Sequence, residues 1–279
     1  MVYDYKRVLT IQDISCVGQC SLTVALPIIS ACGIETAVLP SAVLSTHTGG
    51  FSGYTFRDLT DDLPKILEHW KKENLRFDAF YTGYLGSAKQ IEYVRDILHS
   101  VRKEGSVNIV DPAMADNGKL YPGFDAAFVE AMKPLIADAD FVLPNITEAA
   151  LLTGIDYRES YNEEYVKALS EGLVQLGAKT VVLTGVGYNP QTTGVSVYEN
   201  GQISYYPHRK IAGGCHGTGD VYASAFVGAF LRGNSAFLSA KIAANYTVAC
   251  IENTIGDKSH WYGVKFETAL PELVRKLNP

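Results

Sequence analysis

Arg7-Val8-Leu9-Thr10-Ile11 and Glu35-Thr36-Ala37-Val38-Leu39 are two short, nearly continuous apolar runs. Between them lie a Gly-containing turn and a helical stretch over 20–32 that stops at Gly33. A strand buried on one face alternates apolar and polar residues. Continuous runs indicate burial on both faces, the habit of parallel strands covered by helices. The same alternation continues outward from this unit. Leu59, Leu63, Ile66, Leu67 and Trp70 mark a helix over 57–74, followed by a strand from Phe77 to Tyr81 and a helix over 89–104. A strand from Val107 to Val110, a helix over 125–137 and a strand from Asp140 to Leu143 come next. A helix over 161–177, with Gly177 as a C-cap, leads to a strand from Thr180 to Leu183. Glu199-Asn200-Gly201 then separates two strand-like runs, 193–198 and 203–206, as an Asn-Gly hairpin does. Residues 218–256 and 264–277 read as mostly helical. The expectation is an α/β fold: a mostly parallel sheet, helices on both faces and an antiparallel edge hairpin. Without a repeat, low-complexity tract or linker, residues 1–279 read as a single domain.

Composition narrows the class. The chain of 279 residues is 47% hydrophobic and 19% charged, which supports a large core and excludes wholesale disorder. Its 30 acidic and 24 basic residues leave a net charge of −6. A general nucleic-acid binder needs clustered Lys and Arg to neutralise phosphates, so no nucleic-acid partner is expected. The apolar runs are too short and too often interrupted for a membrane span. The stretch from Met1 to Arg7 does not lead into the long apolar region of a signal peptide. Five cysteines, at 16, 20, 32, 215 and 250, are an odd set in a long chain, as expected of thiols in a reducing cytoplasm.

In an open α/β sheet, ligands bind beyond the carboxyl ends of the strands. Polar clusters fall there: Gln12-Asp13, Thr82-Gly83-Tyr84, Asp111-Pro112, Pro144-Asn145 and Thr184-Gly185. The sharpest feature is Gly213-Gly214-Cys215-His216-Gly217-Thr218-Gly219-Asp220 ahead of a helical run. Glycines let backbone N–H groups approach an anion, and a helix starting there adds the positive end of its dipole. It is not a P-loop, because the Lys-Ser/Thr ending is missing. Alternatively, Asp220 only caps the helix and the glycines only form a loop. Asp111-Pro112-Ala113-Met114-Ala115-Asp116 and Pro144-Asn145-Ile146-Thr147-Glu148 place oxygen ligands at the same edge. Asp111 with Glu148 suits Mg²⁺, a hard cation that keeps several waters. The competing reading makes Asn145 or Thr147 a helix cap and Asp111 the start of a turn.

Together these segments resemble the pyridoxal/pyridoxamine kinase family of the ribokinase-like superfamily. The likeness runs from about residue 6 to about residue 256. Gly-Thr-Gly-Asp at 217–220 carries the superfamily. The narrower likeness rests on Ser45-Thr46-His47-Thr48-Gly49-Gly50, Thr82-Gly83-Tyr84, Asp111-Pro112 followed by Asp116, and Pro144-Asn145-x-x-Glu148. The resemblance implies a three-layer α/β/α sandwich and an ATP-dependent kinase for the 5′-hydroxymethyl group of pyridoxal, pyridoxamine or pyridoxine. It implies Asp220 as the base, and Gly217, Thr218 and Gly219 as the anion hole. Asn145 and Glu148 would serve Mg²⁺ and phosphate, Asp111 would lie near the β/γ-phosphates, and Asp116 would belong to a loop over them. Thr184 would contact the nucleotide, and Thr48 and Tyr84 would line the pyridine ring. ATP and Mg²⁺ are the implied cofactors, with room for a monovalent cation, and a homodimer is the implied assembly.

Departures from the family pattern fall near the substrate. Many relatives carry Ser where this chain has Asp13, and Gly-Asn where it has Gly18-Gln19. Asp13 either pairs with a protonated ring nitrogen or an exocyclic amine, or is a turn residue. Cys215 either adds reversibly to an aldehyde, as a thiolate activated by the helix N-terminus, or is a small loop residue. His47 is expected as a polar wall of the pocket, His216 neighbours the site, and Cys16-x-x-x-Cys20 is expected to be packing. The rivals are a hydroxymethylpyrimidine kinase of thiamine synthesis, with the same fold and mechanism, and a sugar kinase, which needs a larger β lid than residues 13–56 offer. A non-catalytic sensor is a further alternative, but it has no need of Asp220.

Overall fold

The computed structural model describes residues 5–211 and 215–278. The first half of the chain runs β1 (Arg7–Val17), α1 (Leu22–Ala31), β2 (Glu35–Thr46), β3 (Phe56–Asp58), α2 (Leu63–Lys72), β4 (Phe77–Thr82), α3 (Ala88–Ser100) and β5 (Arg102–Val110). A small hairpin of β6 (Ala115–Asp116) and β7 (Lys119–Leu120) precedes α4 (Ala126–Ala137), β8 (Phe141–Val142) and α5 (Ile146–Thr153). Then come α6 (Glu163–Gln175), β9 (Thr180–Thr184), β10 (Thr192–Glu199), β11 (Gln202–Arg209), α7 (Thr218–Leu231), α8 (Ala236–Glu252) and α9 (Leu270–Leu277).

The main sheet has nine strands in the order β11-β10-β9-β8-β5-β4-β1-β2-β3. Its six central strands are parallel, and antiparallel pairs close both ends: β10 with β9 and β11, and β3 with β2. Two apolar clusters cover the two faces. Leu9, Ile11 and Phe80 pack with residues of α2 to α6. Val8, Ala79 and Tyr81 pack with α1, α7, α8 and α9. Neighbouring residues of one strand therefore feed opposite cores, which is why the strands read as continuous apolar runs. The expected three-layer α/β/α arrangement is present.

The departures have local causes. β1 and β2 run five or more residues past their expected ends: the β1 pairing with β4 stops at Ile11, and after a bulge between Gln12 and Ile14 β1 stays paired with β2 to Val17. The helix expected from 57 starts at Leu63, because Thr60–Asp62 forms a 3₁₀ turn and Pro64 favours the first helical turn. Phe56–Asp58 instead pairs with β2 as an exposed edge strand. The helix over 89–104 ends at Ser100, where β5 takes over and Arg102 pairs with Phe77. The helical stretch 218–256 divides at Gly233, which has a left-handed φ of 92°. Among the described residues no helix is long and apolar enough to cross a membrane.

Candidate active site

The strand ends on one side of the sheet are stitched together by main-chain hydrogen bonds. Gly83 N–H donates to the Ile11 carbonyl (3.2 Å), Asp111 N–H to the Thr82 carbonyl (2.8 Å) and Thr184 N–H to the Pro144 carbonyl (2.9 Å). Asp13, Tyr84, Asp111, Asn145 and Thr184 thus lie along one edge. Strand order reverses between β1 and β4, where a crevice forms in a doubly wound sheet.

Glu148 and Asn145 build one corner. Asn145 is the N-cap of α5; its side-chain oxygen accepts from Glu148 N–H (3.0 Å), and Glu148 Oε2 accepts from Asn145 N–H (2.9 Å), a complete capping box. Glu148 Oε1 also accepts from Met114 N–H (3.0 Å) and Ala115 N–H (3.4 Å). The Asn145 amide nitrogen donates to the Ala115 carbonyl (2.8 Å), and Gly118 N–H donates to Thr147 Oγ1 (3.0 Å). These bonds tie the β6–β7 hairpin to the start of α5. Asp116, exposed at that hairpin, accepts from Asn117 of its own loop. Asp111 accepts from Ala113 N–H through one oxygen (3.1 Å), as a turn-starting residue does.

Asp111 and Glu148 are both buried, and burial pushes both carboxyls well above their ordinary range. The Glu148 charge raises Asp111 further, while three backbone N–H groups pull Glu148 down. Such a pair invites a cation. Among the described residues there is no group of three or more metal-ligating side chains. That fits Mg²⁺, which takes one or two carboxylates and leaves its other positions to waters and phosphates.

The opposite corner is the start of α7. Gly217 is its N-cap, with φ 74° in the left-handed region. A Cβ there would sit 1.7 Å from the Gln19 carbonyl oxygen, so Gly217 lets α7 press against the Gly18-Gln19 turn. At Gly219 a Cβ would meet nothing within 4 Å, so the space over the first turn is open. The first N–H groups of a helix have no intrahelical acceptor and attract anions. Gly213 and Gly214 lie outside the described residues. Asp220, in the first turn, makes no cap bond. Its carboxyl is pushed up to about 8, by burial first and then by the charges of Asp111 and Asp13. The capping alternative for Asp220 is therefore set aside.

Asp13 is also not a turn residue. It sits at the β1 bulge, 5% exposed, and accepts from Ser21 Oγ (2.5 Å) and Ser15 Oγ (3.1 Å). Burial raises its carboxyl, and the two hydroxyls oppose the rise. Tyr84, half-buried, faces the same space: burial and the Asp13 charge raise its hydroxyl, and its ring lies 5.5 Å from that of Phe124.

His47 is buried and turned toward the C-terminal segment. Its Nδ1 accepts from Gly49 N–H (3.1 Å), which leaves Nε2–H to donate to the Tyr262 carbonyl (2.7 Å). The expected polar wall thus also ties residues 47–49 to the segment around Trp261, whose ring contacts Phe51 at 4.5 Å. Thr48 is exposed. His216 is exposed beside Gly217, with its ring 5.5 Å from that of His47. Burial raises the Cys215 thiol, so its surroundings favour the thiol and not an activated thiolate. Of the Cys16/Cys20 pair, Cys16 is exposed, so packing holds only for Cys20, and no disulfide is present among the described residues.

Two residues were not anticipated. Ser21 lies inside the stretch 20–32 read as helical, and only its side-chain bond to Asp13 sets it apart. The Tyr121 hydroxyl is raised by burial and by the charges of Glu148, Asp116, Asp111 and Asp220, although the residue as a whole is 39% exposed. Its position in the Asp116 loop was the one sequence clue.

Comparison with known proteins bears on the family and the fold. The profile of the phosphomethylpyrimidine kinase family matches residues 37–264. A Bacteroides thetaiotaomicron structure, named for phosphomethylpyrimidine kinase and crystallised with pyridoxal, is 35% identical, with 97% of this chain and 96% of that one covered and a TM-score of 0.92. The pyridoxal kinase of Lactobacillus plantarum is 32% identical, with 97% of each chain covered and a TM-score of 0.90. The hydroxymethylpyrimidine/phosphomethylpyrimidine kinase of Bacillus subtilis is 28% identical over 225 residues, 79% of this chain and 78% of its own.

Proposed function

The chain belongs to the phosphomethylpyrimidine kinase family, alongside the pyridoxal kinases of the ribokinase-like superfamily, and from that premise we propose that it transfers the γ-phosphoryl group of ATP to the 5′-hydroxymethyl group of a vitamin B6 vitamer. The enzyme is a kinase with an alcohol as acceptor. The observation that carries the site assignment is Asp220: a carboxyl uncommitted to capping, in the first turn of α7 beside an open helix N-terminus.

The residue types suit phosphoryl transfer, which needs in-line placement and charge neutralisation more than covalent work. Asp220 takes the hydroxymethyl proton. The N–H groups of Thr218 and Gly219, exposed by the Gly217 cap, hold the equatorial oxygens of the group in transit. Asp111 and Glu148 would hold Mg²⁺, which when bound offsets phosphate charge. Asn145 fixes the direction of Glu148, Thr184 stands at the end of β9 for the nucleotide phosphates, and the hairpin with Asp116 covers them. Tyr84 and the 47–49 turn, with Thr48, shape the ring side. A monovalent cation and a second copy of the chain are carried on the family likeness, and the edge strand β3, with Phe56 49% exposed, is one surface a second copy would find.

A second reading, hydroxymethylpyrimidine phosphorylation, is favoured by the family profile and the Bacillus subtilis relative. A coupled assay with Mg²⁺ and ATP on pyridoxal, pyridoxamine, pyridoxine and hydroxymethylpyrimidine separates the two. Turnover on a B6 vitamer is expected. Turnover on the pyrimidine alone would move the enzyme to the second reading, and no turnover on any alcohol would sink both.

A further inference from the structure

The turn that carries Thr48 is held from three sides. Gly49 N–H donates to His47 Nδ1 (3.1 Å), which closes the turn on itself. His47 Nε2–H donates to the Tyr262 carbonyl (2.7 Å), which fastens the turn to a segment 215 residues further on. A Cβ at Gly49 would lie 2.8 Å from His216 Nδ1, so the same turn presses on the residue that precedes the N-cap of α7. Thr48 is exposed, between two neighbours that are both pinned.

The segment that receives the His47 bond is itself anchored. Asp257 accepts from Ser259 N–H (2.9 Å) at the start of the 3₁₀ turn Lys258–His260, and Lys265 Nζ pairs with the same carboxylate (2.6 Å). Lys265 N–H donates to the buried Thr254 Oγ1 (2.8 Å), just beyond the end of α8. His260 Nδ1–H donates to the Gly263 carbonyl (2.8 Å), which closes the loop around Trp261 and Tyr262. Rings then reach back to the turn. The Trp261 ring lies 4.5 Å from that of Phe51, and the Phe51 ring lies 5.0 Å from that of His47. A Cβ at Gly50 would come within 2.8 Å of the Trp261 ring, so the packing is closer than any other residue at 50 allows. His47 is 5% exposed, with both ring nitrogens committed. One buried ring therefore fixes where Thr48 stands relative to the start of α7.

Resting on the proposed function, in which Thr48 lines the ring side, we propose that His47 is a positioning residue for the acceptor alcohol. It fixes Thr48 by fastening the 47–49 turn to the Tyr262 carbonyl, and residues 260–263, with Trp261 stacked on Phe51, form the outer support of the alcohol site.

The test measures kcat and the KM values for the alcohol and for ATP in the wild type, His47→Asn, His47→Gln and Trp261→Ala, with pyridoxine and hydroxymethylpyrimidine each offered as the alcohol. The side-chain amide of asparagine stands where Nδ1 does and keeps only the acceptor for Gly49 N–H. That of glutamine reaches as far as Nε2 and keeps the donor for the Tyr262 carbonyl. Thermal melts report that each variant is folded. His47→Asn is expected to raise KM for the alcohol about tenfold, the scale of one buried carbonyl left without its donor, with much smaller changes in kcat and in KM for ATP. His47→Gln is expected to recover most of that loss. Trp261→Ala is expected to raise KM for the alcohol in the same way. Added to His47→Asn it should cost less than the product of the two effects, since both free the same segment. Recovery by Asn in place of Gln would overturn the inference, because a turn that only closes on itself needs the Gly49 bond alone. Equal rises in the two KM values, or no rise in Trp261→Ala, would overturn it too. The same pattern with turnover on the pyrimidine alone would uphold the positioning role and remove the B6 reading; turnover on neither alcohol would remove both.

Discussion

Replacing Asp220 by Asn should cut turnover by orders of magnitude and, in the nucleotide-free protein, raise stability at alkaline pH. The folded chain holds the Asp220 proton up to about 8, whereas an ordinary aspartate releases it near 3.8. Between those values the folded state binds more protons than the unfolded state, so stability falls as pH rises through the window and the loss is complete above about 8. Each pH unit of that span is worth about 1.4 kcal/mol, for a ceiling of about 6 kcal/mol. The carboxyl borders an open pocket and solvent screens it, so about 1–2 kcal/mol is the expected gain. In a chain of this size that is a rise in Tm of roughly 2–6 °C. Asparagine keeps the size and shape of the side chain and lacks the charge that Asp111 and Asp13 repel. Thermal melts of both proteins at pH 5 and pH 9 should show a small difference at the lower pH and the full difference at the higher. Turnover should drop by about 10²–10⁴, the range for loss of a general base. A variant less stable than wild type at pH 9, or one stabilised equally at both pH values, would refute the electrostatic account. A variant with wild-type turnover would refute the base.

Three further substitutions probe the scaffold. Gly217→Ala places a Cβ 1.7 Å from the Gln19 carbonyl oxygen in a left-handed backbone, so the start of α7 must move; a stability loss of about 2 kcal/mol or more and a large fall in kcat are expected, read by melting and steady-state assay. Asn145→Ala removes the α5 cap and the bond to the Ala115 carbonyl, with an expected loss of about 1–2 kcal/mol in denaturant titration; an unchanged midpoint would mean that the capping box contributes little. Thr147→Val deletes the acceptor for Gly118 N–H, which should loosen the β6–β7 hairpin and raise KM for ATP more than it lowers kcat; equal effects on both would count against the hairpin as a phosphate cover.

The legible parts of the fold are those where a local pattern determines the outcome. The central strands carry unbroken apolar runs because helices cover both faces, so Arg7–Ile11 and Thr180–Leu183 could be placed from sequence. Phe56–Asp58 could not, because an edge strand of three exposed residues has no such signature. Nor could the boundary at Ser100, since the residues that follow belong to a strand only through pairing with β4. The site divides in the same way. Asp111, Glu148 and Asp220 announce themselves by following a strand or opening a helix. His47 could be placed near the pocket, but its bond to the Tyr262 carbonyl, 215 residues away, could not.

Cap and ligand are not competing roles at Glu148. The capping box fixes the carboxylate through Asn145 N–H, and Met114 and Ala115 add two more donors, so the bonds that end the helix also hold a charge at the pocket. Each of the three donors opposes the rise that burial imposes on that carboxyl, and so favours the ionised form that a cation needs. At Ser21 the balance goes the other way. There the hydroxyl leaves its helix uncapped to bond Asp13. A cap costs about 1 kcal/mol to forgo. The backbone strain at φ 54° adds to that. The arrangement is therefore stable only if the 2.5 Å bond from the Ser21 hydroxyl to the buried Asp13 carboxyl returns as much.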